Sequence, residues 1–187
     1  MAHLLDKPSG YGWVSILFHW SSAVVIVAMW LLGSNIRIGD IVSPGHLHVS
    51  TGVCIWLPML FRIAWRMRAG HPQLAGQSMV VRRLASTTHY AILAAVFVML
   101  LSGPLLVWSD GLPIRVFDWF AIPGPFDGSD RLREIALLVH STTAMLLLYL
   151  VLIHVGGALK HLMFHNDETF VRMLWPRRGR EPKSADD

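Results

Sequence analysis

The chain has 187 residues, of which 53% are hydrophobic and only 15% charged, with a formal net charge of +4 and a single cysteine. Four apolar stretches, each close to the roughly 20 residues that cross a bilayer, use nearly half the length and leave no room for a separate soluble domain. The charge is too localised to suggest a nucleic-acid partner, and one cysteine excludes an intrachain disulfide.

The first predicted helix covers residues 13–33 and opens at Trp13, whose indole suits a membrane interface. The residues before it include Asp6, Lys7, Pro8 and Gly10, and the apolar run that follows is too long for a signal-peptide core, so this helix is expected to be retained. Gly39, Pro44 and Gly45 mark a turn. The second helix, 47–65, holds Cys54 as a small packing residue and ends in Arg62, Arg66 and Arg68. Gly70, Pro72 and Gly76 mark the next connection. The third helix, 87–108, contains Pro104, which removes a backbone donor and predicts a kink. A long connection from Ser109 to Asp130 is rich in Gly, Pro and aromatic residues, and Trp119–Pro123 suits the interface. The fourth helix, 135–164, is the longest, and residues 176–187 read as a disordered tail.

Arginines set the orientation. The connection between helices two and three carries Arg62, Arg66, Arg68, Arg82 and Arg83 with no acid, and the C-terminal tail is also basic. The two remaining connections are mixed or acidic. Because Lys and Arg accumulate on the cytoplasmic side of short loops, both termini are expected in the cytoplasm, which an even number of spans requires. The expected architecture is an all-α integral membrane protein, a four-helix transmembrane bundle in contact with lipid.

Ionisable residues within spans are costly and usually functional; no Asp, Glu, Lys or Arg falls in the middle of a span, but histidines stand near span ends. His140 and His154 lie fourteen residues apart on helix four. That is close to four turns and about 21 Å of axis, so both rings project from nearly one face at opposite depths. With the N-terminus inside, His19 matches the depth of His154, and His48 matches that of His140. Imidazole pairs on facing helices can clamp haem iron from both sides. The pairs His19/His154 and His48/His140 therefore predict two stacked haems b as a path for electrons across the membrane. Interfacial histidines would not need to match in depth across three helices. A zinc or copper site would call for tighter spacing and carboxylate or thiolate partners. No Cys-x-x-Cys-His occurs, which excludes covalent haem attachment. Gly52, one turn after His48, and Gly156–Gly157, after His154, provide either room for a macrocycle or close helix packing.

The segments Ile16–Trp20, His48–Gly52 and His89–Tyr90, together with His140, His154, His161, Asn166–Thr169 and Arg172–Leu174, resemble the prokaryotic cytochrome b561 family over about residues 11–177. That resemblance implies a bacterial inner-membrane oxidoreductase with haem iron held by His19, His48, His140 and His154. It is nearest to members that oxidise periplasmic superoxide and reduce ubiquinone. It also implies a cytoplasmic-side quinone pocket formed by Met79, Val80, Val81, Arg82 and Arg83 with His161 and His89. The alternative it carries is an electron-transfer subunit that links a periplasmic dehydrogenase, hydrogenase or other protein donor to the quinone pool. Against superoxide, the long outer connection is net negative, with five acids and three arginines, and an anion is steered by positive potential. A local positive funnel from Arg115, Arg131 or Arg133 would offset that charge.

Overall fold

In the computed structural model of the chain, residues 4–6, 10–35, 44–69, 79–160, 162–163 and 173–175 are described. The fold consists of helices α1 (Trp13–Ser34), α2 (Pro44–Ala69), α3 (Met79–Ser109) and α4 (Asp130–Lys160), with a two-stranded hairpin, β1 (Ile114–Val116) and β2 (Phe120–Ile122), between α3 and α4. All four helices are long and apolar enough to cross a membrane. Much of their outward surface is apolar, including Leu17, Val24, Leu57, Leu138 and Leu152, as lipid contact requires and water would penalise.

Helices α1 and α2, α2 and α3, and α3 and α4 pack as sequential neighbours, and α3 with α4 is the most extensive interface. At mid-depth Met59, Ala95, Val96, Leu100 and Leu147 form the buried core, flanked by Ile26, Ile55, Trp56 and Leu150. Pro104 lies inside α3, so the Leu100 carbonyl one turn earlier has no helical N–H to accept. The Trp56 indole of α2 donates to that oxygen at 2.8 Å. In hydrocarbon an unpaired carbonyl costs several kcal/mol, and this bond offsets it while tying α2 to α3.

The N-terminal end of α1 is held by the chain that precedes it. Asp6 accepts hydrogen bonds from the Gly12 backbone N–H at 2.7 Å and from Ser15 Oγ at 2.8 Å. Ser15 Oγ in turn accepts from the Trp65 indole at 2.9 Å. The Leu4 and Leu5 backbones pass so close to Gly12 that a Cβ there would collide with them.

At the opposite end of the bundle, the outer end in the orientation expected from the arginines, α3 ends at Ser109 and Gly111 follows in the left-handed conformation with φ +70°. The Ser129 hydroxyl accepts the Leu132 N–H and caps α4. The hairpin is an addition to the all-helical expectation. Its turn places Phe117 and Asp118 at φ +46° and +62°, with no glycine to signal it.

The observed helices differ from expectation mainly at their ends. α3 begins at Met79, so Met79–Arg83, read from sequence as loop, occupies its first turns. α2 extends to Ala69 and α4 starts at Asp130. Cys54 is exposed on the outward face of α2 and does not pack in the core. The tail from 176 to 187 and the end of the expected fourth helix at 161 and 164 lie outside the described residues.

Candidate functional site

Helix α4 packs closely on α3 but stands off from α1 and α2. Across that separation its histidines meet partners at two levels. The His48 and His140 rings lie 6.2 Å apart between centroids, with planes at 81°. The His19 and His154 rings lie 6.0 Å apart, at 63°. A metal bonded at about 2.0 Å to one nitrogen of each of two opposed imidazoles holds the ring centres about 6 Å apart. Both pairs have that separation, and all four side chains are partly buried.

The outer pair is surrounded by polar supports. Ser102 Oγ lies 2.9 Å from His140 Nδ1. With the hydroxyl donating to the Met99 carbonyl at 3.5 Å, Nδ1–H donates to Ser102 and Nε2 is left as a metal donor, the usual arrangement of a ligating histidine. The His48 Nδ1 atom is buried without a hydrogen-bond partner among the described residues. Its ring rests on Gly33 of α1, where a Cβ would stand 3.0 Å from His48 Cε1. A second glycine, Gly103, lies under His140, where a Cβ would be 3.6 Å from Cε1.

The β-hairpin packs at the outer end on the face of α2 that carries His46 and Ser50. Fully buried Ser50, two residues after His48 on α2, accepts the Phe117 N–H at 3.0 Å and approaches the Arg115 carbonyl at 3.4 Å. His46 points away from the pair toward Asp118, at 3.9 Å. Arg133 is engaged by Asp110 at 2.7 Å, so its charge is already answered and it does not contribute to the expected positive funnel. Arg115 and Arg131 remain exposed at the surface.

The inner pair has a third histidine beside it. The His89 ring lies 4.8 Å from that of His154, too close for a metal to sit linearly between them, and its Nδ1–H donates to the Ala85 carbonyl at 2.7 Å. Among the described residues, no three or more His, Cys, Asp or Glu side chains converge as a metal site. Each opposed pair offers two imidazole nitrogens, the number of protein ligands a b-type haem iron can take. A Cβ added at Gly156 or Gly157 would meet nothing within 4 Å, and both glycines are exposed, so neither makes a tight contact with another described helix.

The remaining expected site residues are more dispersed. Met79, Val80, Val81, Arg82 and Arg83 are exposed along the start of α3, about 9–15 Å of helix axis from His89. His161 lies outside the described residues. Sequence reasoning missed Ser102 and Gly33, because their contacts with His140 and His48 join different helices and leave no local pattern.

Residues 10–176 match the family model described as prokaryotic cytochrome b561. The chain belongs to this family. It is also similar to cytochrome b561 homolog 2 of Escherichia coli (strain K12), with 31% identity over 175 residues that cover 90% of this chain and 93% of that protein. The family assignment makes the chain a membrane electron-transfer protein that binds b-type haem, and the histidine pairs have the donor chemistry and separation to hold it.

Proposed function

We propose that this chain is a di-haem cytochrome of the bacterial inner membrane that takes single electrons from a donor at the periplasmic face and delivers them to ubiquinone at the cytoplasmic face. The observation that carries this reading is the presence of two opposed imidazole pairs, at 6.2 and 6.0 Å, whose α4 members are about 21 Å apart along one helix. His48 and His140 would hold the outer haem, and His19 and His154 the inner one. Haem iron supplies reversible one-electron chemistry. The four histidines would supply the iron's protein nitrogens, with His140 oriented by Ser102.

The acid-free run Arg62, Arg66, Arg68, Arg82 and Arg83 supports cytoplasmic termini. The quinone site in this reading lies on the inner side. His89 stands beside the inner pair, and Met79–Arg83 and His161 are assigned to the approach from the cytoplasm. Reduction of quinone to quinol takes two electrons and two protons, and histidines near the surface are suited to relay those protons.

Superoxide is the donor we favour. Two superoxide anions give up one electron each and leave as oxygen, and one quinone takes up both electrons with two cytoplasmic protons. A protein donor is the second reading, and one observation favours it. The hairpin at the outer end presents an exposed acid and exposed aromatics, Asp118 at 83% and Trp119 at 76%, a surface suited to docking a basic partner.

The test is a superoxide pulse on purified oxidised protein, with haem absorbance followed with and without ubiquinone. Rapid haem reduction, then reoxidation on adding quinone, is the expected result. Haem that superoxide leaves oxidised, yet quinol reduces, would overturn the superoxide reading in favour of a protein donor.

A further inference from the structure

Two arginines one turn apart on α2 differ in what answers their charge. Arg66, nearer the C-terminal end of the helix, is 3.9 Å from Asp6, donates to the Tyr11 hydroxyl at 3.3 Å and lies 5.2 Å from the centre of the Tyr11 ring. Arg62 is one turn deeper and partly buried, and it has no hydrogen bond or ion pair among the described residues. Its depth is fixed by its neighbours. Phe61 packs on Phe18 at 5.4 Å between ring centroids, and the Trp65 indole donates to Ser15. Arg62 therefore stands level with the turn of α1 that carries His19.

A guanidinium at this depth is costly without an anion, and its planar fork of donors matches a carboxylate in two-point contact. The described residues supply no such anion. Asp6 is shared by Gly12, Ser15 and Arg66, and the remaining described acids, Asp110 to Glu134, belong to the outer end. The anion must come from outside the described polypeptide, and it must reach the level of the inner histidine pair. A b-type haem carries two propionate carboxylates on one edge and meets both conditions. A lipid phosphate is also anionic, but nothing about it requires proximity to both rings.

We propose that Arg62 binds a propionate of the inner haem and, through its positive charge, favours the reduced form of that haem over the outer one. The proposal rests on the di-haem reading. Among the described residues no corresponding buried cation lies at the outer pair, where Arg133 is matched by Asp110, so Arg62 would bias electrons toward the inner, quinone-facing level.

The test is an optical redox titration of purified full-length protein, wild type, R62Q and R62K, with the haem content of each determined separately. The two haems are assigned with His48→Ala, which retains only the inner one. The expected result is that R62Q lowers the ratio of reduced to oxidised inner haem about tenfold at fixed potential, equivalent to about 59 mV for one electron, and leaves the outer haem unmoved. R62K, which keeps the charge and loses the fork, recovers part of the shift. Loss of the inner haem alone in R62Q, restored in R62K, also supports propionate binding. Unchanged or equally shifted potentials in a two-haem protein would overturn the proposal and leave the di-haem reading standing, which is also the outcome if Arg62 holds a lipid phosphate. Wild-type protein with fewer than two haems would overturn both.

Discussion

The two histidine pairs have the same ligands at nearly the same separation, but their surroundings are opposite in kind. The outer pair is buttressed by neutral groups. Ser102 is bonded to His140, Gly33 and Gly103 lie against the rings, and Ser50 anchors the hairpin to the adjoining face of α2. The inner pair has a charged neighbour in Arg62 on α2, which no described acid answers, and a third imidazole, His89, in contact with His154. If each pair holds a haem in the proposed way, the ligands are alike at both levels and any difference between them would come from these surroundings. A neutral site suits receipt of electrons from outside, and a positive site suits holding them for a two-electron acceptor.

Removing a ligand tests the separateness of the pairs and has the largest expected effect. His140→Ala should remove the outer haem, cut the Soret absorbance by about half and leave the inner haem in place. Haem quantification on purified protein checks this, and loss of both haems would mean that the levels are not independent. Ser102→Ala is expected to be milder. It should weaken outer-haem retention roughly 10- to 100-fold without affecting the inner haem, as followed by haem transfer to an apoprotein acceptor. Gly33→Ala should act in the same direction, since its methyl would press on His48, and uptake of the outer haem during reconstitution measures it.

Two further changes lie outside either pair. Trp56→Phe leaves the Leu100 carbonyl without its donor at mid-depth, and should lower stability by about 1–3 kcal/mol while both haem spectra stay unchanged. Thermal unfolding in detergent is the readout. Arg133→Ala removes an ion pair whose members are substantially exposed, and should cost no more than about 1 kcal/mol in the same assay. A larger loss would mean that the Asp110–Arg133 contact secures the outer cap.

The asymmetry between the pairs was only partly legible in the sequence. The spans could be read because apolar runs of this length have few alternatives, and the pairing of His19, His48, His140 and His154 followed from depth alone. The start of α3 was hidden because Arg82 and Arg83 interrupt the apolar pattern, although a helix can extend beyond the hydrocarbon. The hairpin has strands of three residues, too short for an alternating pattern, and its turn places Phe117 and Asp118 where glycine or asparagine would normally give the signal. Ser102, Gly33 and the Asp6 network act between segments far apart in the chain. Arg62 was visible only as one of several arginines that set orientation, and its unmatched charge appears only once α1 and α2 are placed side by side.

The measurement that tests the central claim most directly is the ratio of haem b to polypeptide in the purified full-length protein, from the reduced pyridine complex and amino-acid analysis. Two haems b per chain are expected, falling to one in His140→Ala and to one in His19→Ala. A single haem in the wild type, or a wild type with two haems in which neither variant loses one, would contradict the claim.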